Sequence, residues 1–226
     1  MSRPHPATLK AELRRFLGQH PVVTTVQLER WGWAQAADWL DLPRLSLDIR
    51  TQVTQPSSQV ELTFVAHTEA ALLDPPHVLL HSALLAETWA VLNATQATFP
   101  GEGFRYVSLR GRGQGRLPDA EIQLFDDEPG LDSAVEVDTG YPPRRCHEKL
   151  HSYALQGFSS LVWATTVHGR VTSMARQIET LQRLGQLPGV REYLVVYVNV
   201  SRPGDPYAPR PRGHKLNSAQ GAFDGL

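Results

Sequence analysis

The chain has 226 residues, a 41% apolar share, 20% charged residues and a formal net charge of −1. That composition fits a globular protein with a substantial core. It excludes a global electrostatic pull onto nucleic acid, so any polyanion binding must come from a local patch. No run of 18 apolar residues is present, and the first ten residues lack the pattern of a secretory signal. The lone Cys146 has no internal disulfide partner. The expectation is a cytoplasmic protein without a membrane segment. Only three of the 22 basic residues are lysines: Lys10, Lys149 and Lys215.

The spacing of Leu9, Leu13, Phe16 and Leu17 predicts a helix over 7–18, stopped by Gly18. A second short helix follows, capped by Thr24 or Thr25, with Leu28 and Trp31 facing inward. A third is expected over 34–41. Residues 45–53 and 59–66 read as a hairpin around the polar segment TQPSS, and 67–73 return to helix. Short helices followed by a hairpin outline a winged-helix-like module over 1–75. Asp74-Pro75-Pro76 closes it.

The strongest helical pattern covers 79–97, marked by Leu80, Leu84, Trp89 and Leu92. Strands are expected at 104–110, 120–126 and 133–138. A helix over 143–157, a strand over 159–166, a helix over 170–187 and a strand over 192–200 complete the series. This order predicts a mixed α/β domain over 76–200, a sheet flanked by helices. The tail from 201 to 226 is expected to be mostly irregular.

Alternation along 133–138 puts Glu136 and Asp138 on one face and Val135 and Val137 on the other. Antiparallel pairing with the preceding strand would bring Asp119 beside them. Three clustered carboxylates need a compensating cation, and oxygen ligands suit Mg²⁺ or Mn²⁺. Such an ion polarises a phosphodiester and activates water. In the next helix, Arg145, Lys149 and Tyr153 recur at i, i+4, i+8. Lys149 is expected to hold the water or stabilise developing phosphorane charge, with Tyr153 contacting a phosphate or orienting Lys149. The segment RYVSLRGRGQGR offers Arg105, Arg110, Arg112 and Arg116, uninterrupted by acidic residues, as a DNA-backbone patch joined by Arg145.

Other chemistries find less support. His147 and His151 stand at i, i+4, a spacing that can share a metal, and the segment HEKLH has the letters of an HExxH motif; an exposed helix surface is the expected role for them. Cys146 and His147 are adjacent on a helix and point apart. GRGQGR lacks the Lys and helix of a phosphate-binding P-loop.

Pro118-Asp119, then Glu136-Val137-Asp138 on the following strand, resembles the PD-(D/E)XK nuclease superfamily. More narrowly, His81, Pro118-Asp119-Ala120, Glu136-Val137-Asp138, Lys149 and Tyr153 resemble the replication-relaxation family of bacterial and plasmid proteins. The resemblance implies a restriction-endonuclease-like core and divalent-metal-dependent DNA cleavage. It makes Asp119, Glu136 and Asp138 metal ligands, with Lys149 and Tyr153 beside them. The superfamily's usual Lys lies two residues after the Glu, where this chain has Asp138. Either Lys149 replaces it from the helix, or the chain keeps the fold without the chemistry, as a DNA-associated regulator or protein scaffold. The 1–75 module carries 7 Lys or Arg against 8 Asp or Glu. Its expected recognition helix holds Asp38 and Asp41 and no basic residue, so a protein partner is expected there instead of DNA.

Overall fold

The computed structural model describes residues 5–94, 117–123, 132–208 and 216–223, and the backbone alone at 104–108 and 124. It divides into two compact units, each described by itself. The first comprises Met1–Thr51, Gln55–Glu87 and Asn199–Ala208; the second comprises Gln52–Thr54, Thr88–Val198 and Pro209–Leu226. The division therefore falls inside a helix, between Glu87 and Thr88, instead of at Asp74-Pro75-Pro76.

The first unit opens with α1 (Pro6–Gln19), whose Leu13 and Leu17 are buried as their spacing requires. Strand β1 (Val22–Thr24) leads into α2 (Thr25–Arg30). Thr24 is the cap: its Oγ1 accepts from Gln27 N at 3.2 Å, and Gln27 Oε1 accepts from Thr24 N at 2.8 Å. This reciprocal pair satisfies two helix-end groups and fixes where α2 begins. Leu28 is buried while Trp31 stays partly exposed in an aromatic group with Phe16 and Trp33. Helix α3 (Ala34–Trp39) is short and has no side-chain cap. Strands β2 (Arg44–Arg50) and β3 (Gln59–Ala66) pair antiparallel from Arg44↔Val65 to Arg50↔Gln59, and β1 joins β3 on its other edge. Leu13, Leu17, Val23, Leu28, Ala36 and Val65 form the core.

Helix α4 (Glu69–Leu72) is one turn. Helix α5 (Pro76–Ala94) starts three residues before its expected first residue. Proline lacks the N–H that a first helical residue would leave unpaired, so Pro76 opens the helix without penalty. The expected residues 95–97 lie outside the described residues.

The second unit carries a sheet in the order β4-β5-β6-β7-β8-β9 among the described residues. Strands β4 (Phe104–Ser108), β5 (Ala120–Leu124) and β6 (Ser133–Asp138) run antiparallel in turn. Strands β6, β7 (Ser160–Thr165) and β8 (Glu192–Tyr197) are parallel, joined through α6 (Pro143–Leu155) and α7 (Arg170–Arg183). The expected mixed α/β sheet is present. Every residue of β6 and β7 is buried, as a central parallel pair covered on both faces should be. Helices α6 and α7 stop short of their expected ends because Gly157 (φ 88°) and Gly185 (φ 67°) turn left-handed just beyond them.

The tail departs from expectation. Ser218–Ala222 form β9, antiparallel to β8. A Cβ at Gly221 would lie 2.6 Å from the Tyr193 ring, so the strand crosses that ring only because residue 221 is glycine. The segment SAQGA has little apolar or β-branched content, which hid it from a propensity reading. No helix among the described residues is long and apolar enough to cross a membrane.

Candidate functional site

The site is built where the start of β5, β6 and α6 meet. Asp119 N donates to Val135 O at 2.9 Å, the residue that also pairs with Ala120, so Asp119 lies against β6 immediately before β5 begins. Val137 N in turn donates to Asp119 Oδ2 at 2.8 Å, so the carboxylate is seated on the β6 backbone. Asp119 is near enough to Glu136 for its charge to act on that carboxyl group.

Glu136 is 1% exposed and faces α6. Lys149 Nζ lies 2.8 Å from both of its oxygens. Hydrogen-bond geometry is satisfied at Oε2, whereas Oε1 has the charge contact without a directed donor among the described residues. Tyr153, one turn further along α6, donates its hydroxyl to Glu136 Oε2 and accepts from Lys149 Nζ at 3.1 Å. The spacing of Lys149 and Tyr153 on one helical face thus closes a small ring on Glu136. Burial raises the Glu136 proton affinity, and repulsion from Asp119 raises it further; Lys149 and Tyr153 act against both.

Asp138 shares the Glu136 face of β6 but meets different partners. Its Oδ1 accepts from Gly140 N at 2.7 Å and Tyr141 N at 2.6 Å. Its Oδ2 accepts from Arg170 Nη1 at 2.7 Å and Trp163 Nε1 at 3.3 Å. Both oxygens are engaged twice, which leaves no oxygen to assist at Asp119 and Glu136 as expected. Among the described residues, no group of three or more His, Cys, Asp or Glu side chains is arranged to hold a metal ion.

Three residues of the site went unread in the sequence. Tyr141 lies beneath Arg145, whose guanidinium is 4.3 Å from the ring centroid, with Lys149 Nζ at 5.8 Å. Burial and the nearby Glu136 and Asp119 charges push the Tyr141 hydroxyl pKa upward. Arg170 and Trp163 come from α7 and β7. The turn signal Asp138-Thr139-Gly140 could have revealed an aspartate that bonds the backbone two residues on. Nothing local points to Arg170, 32 residues away.

Arg145 is exposed on α6 beside the site. Arg110, Arg112 and Arg116, and the side chain of Arg105, lie outside the described residues. His147 Nε2 meets Gln186 Oε1 at 3.2 Å, and His151 Nδ1 meets Gln186 O at 3.0 Å. Cys146 is buried, and burial pushes its thiol up to about 11, against a nucleophilic role. No protein-family model, curated protein or solved structure matches the chain.

Proposed function

We propose that this chain is a DNA-processing protein of the replication-relaxation type, with a PD-(D/E)XK-like core acting as a divalent-metal-dependent phosphodiesterase. The observation that carries the reading is one juxtaposition. Asp119 is bonded to the β6 backbone at Val135 and Val137, close enough for its charge to act on Glu136 between them, and Lys149 reaches the Glu136 carboxylate from α6. Asp, Glu and Lys are then together, although the Lys comes from the helix and not the strand.

The donor set fits a hard cation at two positions. Asp119 and Glu136 would hold Mg²⁺ or Mn²⁺ through carboxylate oxygens, Glu136 with Oε1, which accepts no directed bond among the described residues. Asp138 does not fit, because its lone pairs are taken. A bound divalent ion supplies Lewis acidity to a phosphodiester and to its attacking water. The chain's own contribution is electrostatic and positional. Lys149 brings a buried positive charge to the point where phosphorane charge would build. Tyr153 holds Lys149 and Glu136 in one geometry. Arg145, laid flat on Tyr141, would hold the DNA backbone together with Arg105, Arg110, Arg112 and Arg116.

The helices and hairpin of the first unit support a winged-helix-like module. Asp38 of α3 pairs with Arg44, and α3 carries no basic side chain, so this module would engage a protein partner.

A second reading has its own observation. Lys149 and Tyr153 close around Glu136, and Asp138 fills the place of the usual strand lysine. That arrangement suits a regulator that keeps the nuclease fold and binds DNA without cutting it. Cleavage assays with Mg²⁺ or Mn²⁺ on linear, supercoiled and single-stranded DNA separate the two. The leading reading expects cutting by the wild type and none by Asp119→Ala or Glu136→Ala. Cutting that survives both substitutions removes the assigned site; DNA binding without any cutting selects the regulator.

A further inference from the structure

We infer that Asp138 and Arg170 form a positioning pair that delivers Lys149 to Glu136, and that Asp138 is not a ligand. The second half rests on the proposed function; the first half does not. Glu136 and Asp138 sit two residues apart on the same side of β6, yet their surroundings divide the labour. Glu136 meets the middle of α6, where Lys149 and Tyr153 lie. Asp138 meets the turn that enters α6 and the first residue of α7.

Asp138 is wholly buried, and its charge is balanced by Arg170, which is 21% exposed. Burying a carboxylate is costly unless it is paired and hydrogen-bonded, and Asp138 is both. Its Oδ1 gathers the N–H groups of Gly140 and Tyr141, folding 138–141 into a tight turn. Gly140 has φ 110°, a conformation that L side chains rarely adopt. Val53 N donates to Thr139 O at 2.8 Å and pins the same turn from outside.

Arg170 ties the turn a second time. Its Nη1 donates to Tyr141 O at 2.7 Å as well as to Asp138. Helix α6 starts immediately afterwards, and Pro142 at its N-cap offers no side-chain cap. The start and rotation of α6 are therefore set by the preceding turn and not by a cap of its own. Rotation of α6 decides whether Lys149 faces Glu136. Tyr141, held by both members of the pair, also supplies the ring beneath Arg145.

The chain's lysine count makes the test direct. Lys10, Lys149 and Lys215 are the only lysines, so acetylation by an anhydride can be followed at each by mass spectrometry. Lys149 is 4% exposed and will label slowly in the wild-type protein. In Asp138→Ala and Arg170→Ala, Lys149 is expected to label about tenfold faster through local opening, with Lys10 and Lys215 unchanged. Asp138→Asn keeps an oxygen for the two turn N–H groups and is expected to stay closer to wild type. Folded alanine variants in which Lys149 remains as slow as in wild type overturn the positioning role.

Manganese calorimetry tests the other half. Loss of binding in Glu136→Gln with retention within about threefold in Asp138→Asn supports the assignment. Equal loss in both, with Lys149 still protected in Asp138→Asn, overturns it. A wild-type protein that takes up no manganese refutes the proposed function instead, and the labelling result still decides the positioning role.

Discussion

Lys149 and Glu136 make a consequential contact in the second unit, because both are almost entirely buried. Removing one member of a buried pair leaves the other without its counter-charge, typically at about 3 kcal/mol or more. Lys149→Met should therefore lower urea-unfolding stability by about 3 kcal/mol, while Glu136→Gln/Lys149→Met should lose less than the summed single effects. Additive losses would mean that the two side chains are not coupled.

His20 gives a pH prediction in the first unit. It is 2% exposed, and burial lowers its pKa from 6.5 to about 4. Between those values the unfolded chain binds the proton and the folded chain does not, so stability falls as pH drops from 6.5 to 4. Denaturant titrations should show His20→Phe losing part of this acid sensitivity, an effect on the order of 3 kcal/mol. An unchanged pH slope in the variant would rule out His20 as its source.

Among the elements, β9 is held by shape more than by composition. The Tyr193 ring fills the space a side chain at residue 221 would need, and Tyr193 is itself held by a 2.6 Å bond to Glu179 Oε1. Gly221→Val should strip β9 from β8 while leaving the parallel strands intact. The Tyr197 amide, which bonds Asn217 O at 2.7 Å, should then exchange with deuterium faster than the amides of β7. Unaltered protection at Tyr197 would show that the ring can move aside.

This strand also marks the limit of sequence reading. The helices around Leu13 and Leu17 and around Lys149 and Tyr153 were legible because buried residues recur at helical spacing. Strands β6 to β8 were legible because buried parallel strands are dense in Val, Leu and Tyr. SAQGA carries neither signal; its pairing depends on one glycine meeting one ring. The site divides the same way. The nearness of Asp119, Glu136, Lys149 and Tyr153 was legible from periodicity and pairing rules. The partners of Asp138 were not, because Trp163 and Arg170 reach it only after the chain has crossed over through α6 to β7.

At the scale of the whole chain, each unit has its own polar anchor. In the first, buried Glu87 collects Arg30 at 2.7 Å, Gln27 Nε2 at 2.9 Å and the Tyr207 hydroxyl. Thr24 Oγ1 also donates to Val200 O at 2.8 Å, so segment 199–208 is fastened into a unit built mainly from the first 87 residues. The second anchor is the carboxylate pair of β6. With a net charge of −1, the DNA affinity that the proposed function requires would come from the local arginines and fall steeply with salt. Replacing Arg110, Arg112 and Arg116 with Ala should reduce the slope of log K against log salt by roughly three. A slope that does not change would place the DNA elsewhere.

The most direct test of the Asp119–Glu136–Lys149 centre is calorimetric titration of the intact protein with Mn²⁺, compared with Asp119→Asn and Glu136→Gln. The account predicts saturable binding to the wild type and its loss in both variants. No binding to the folded wild-type protein, or equal binding to all three, would contradict it.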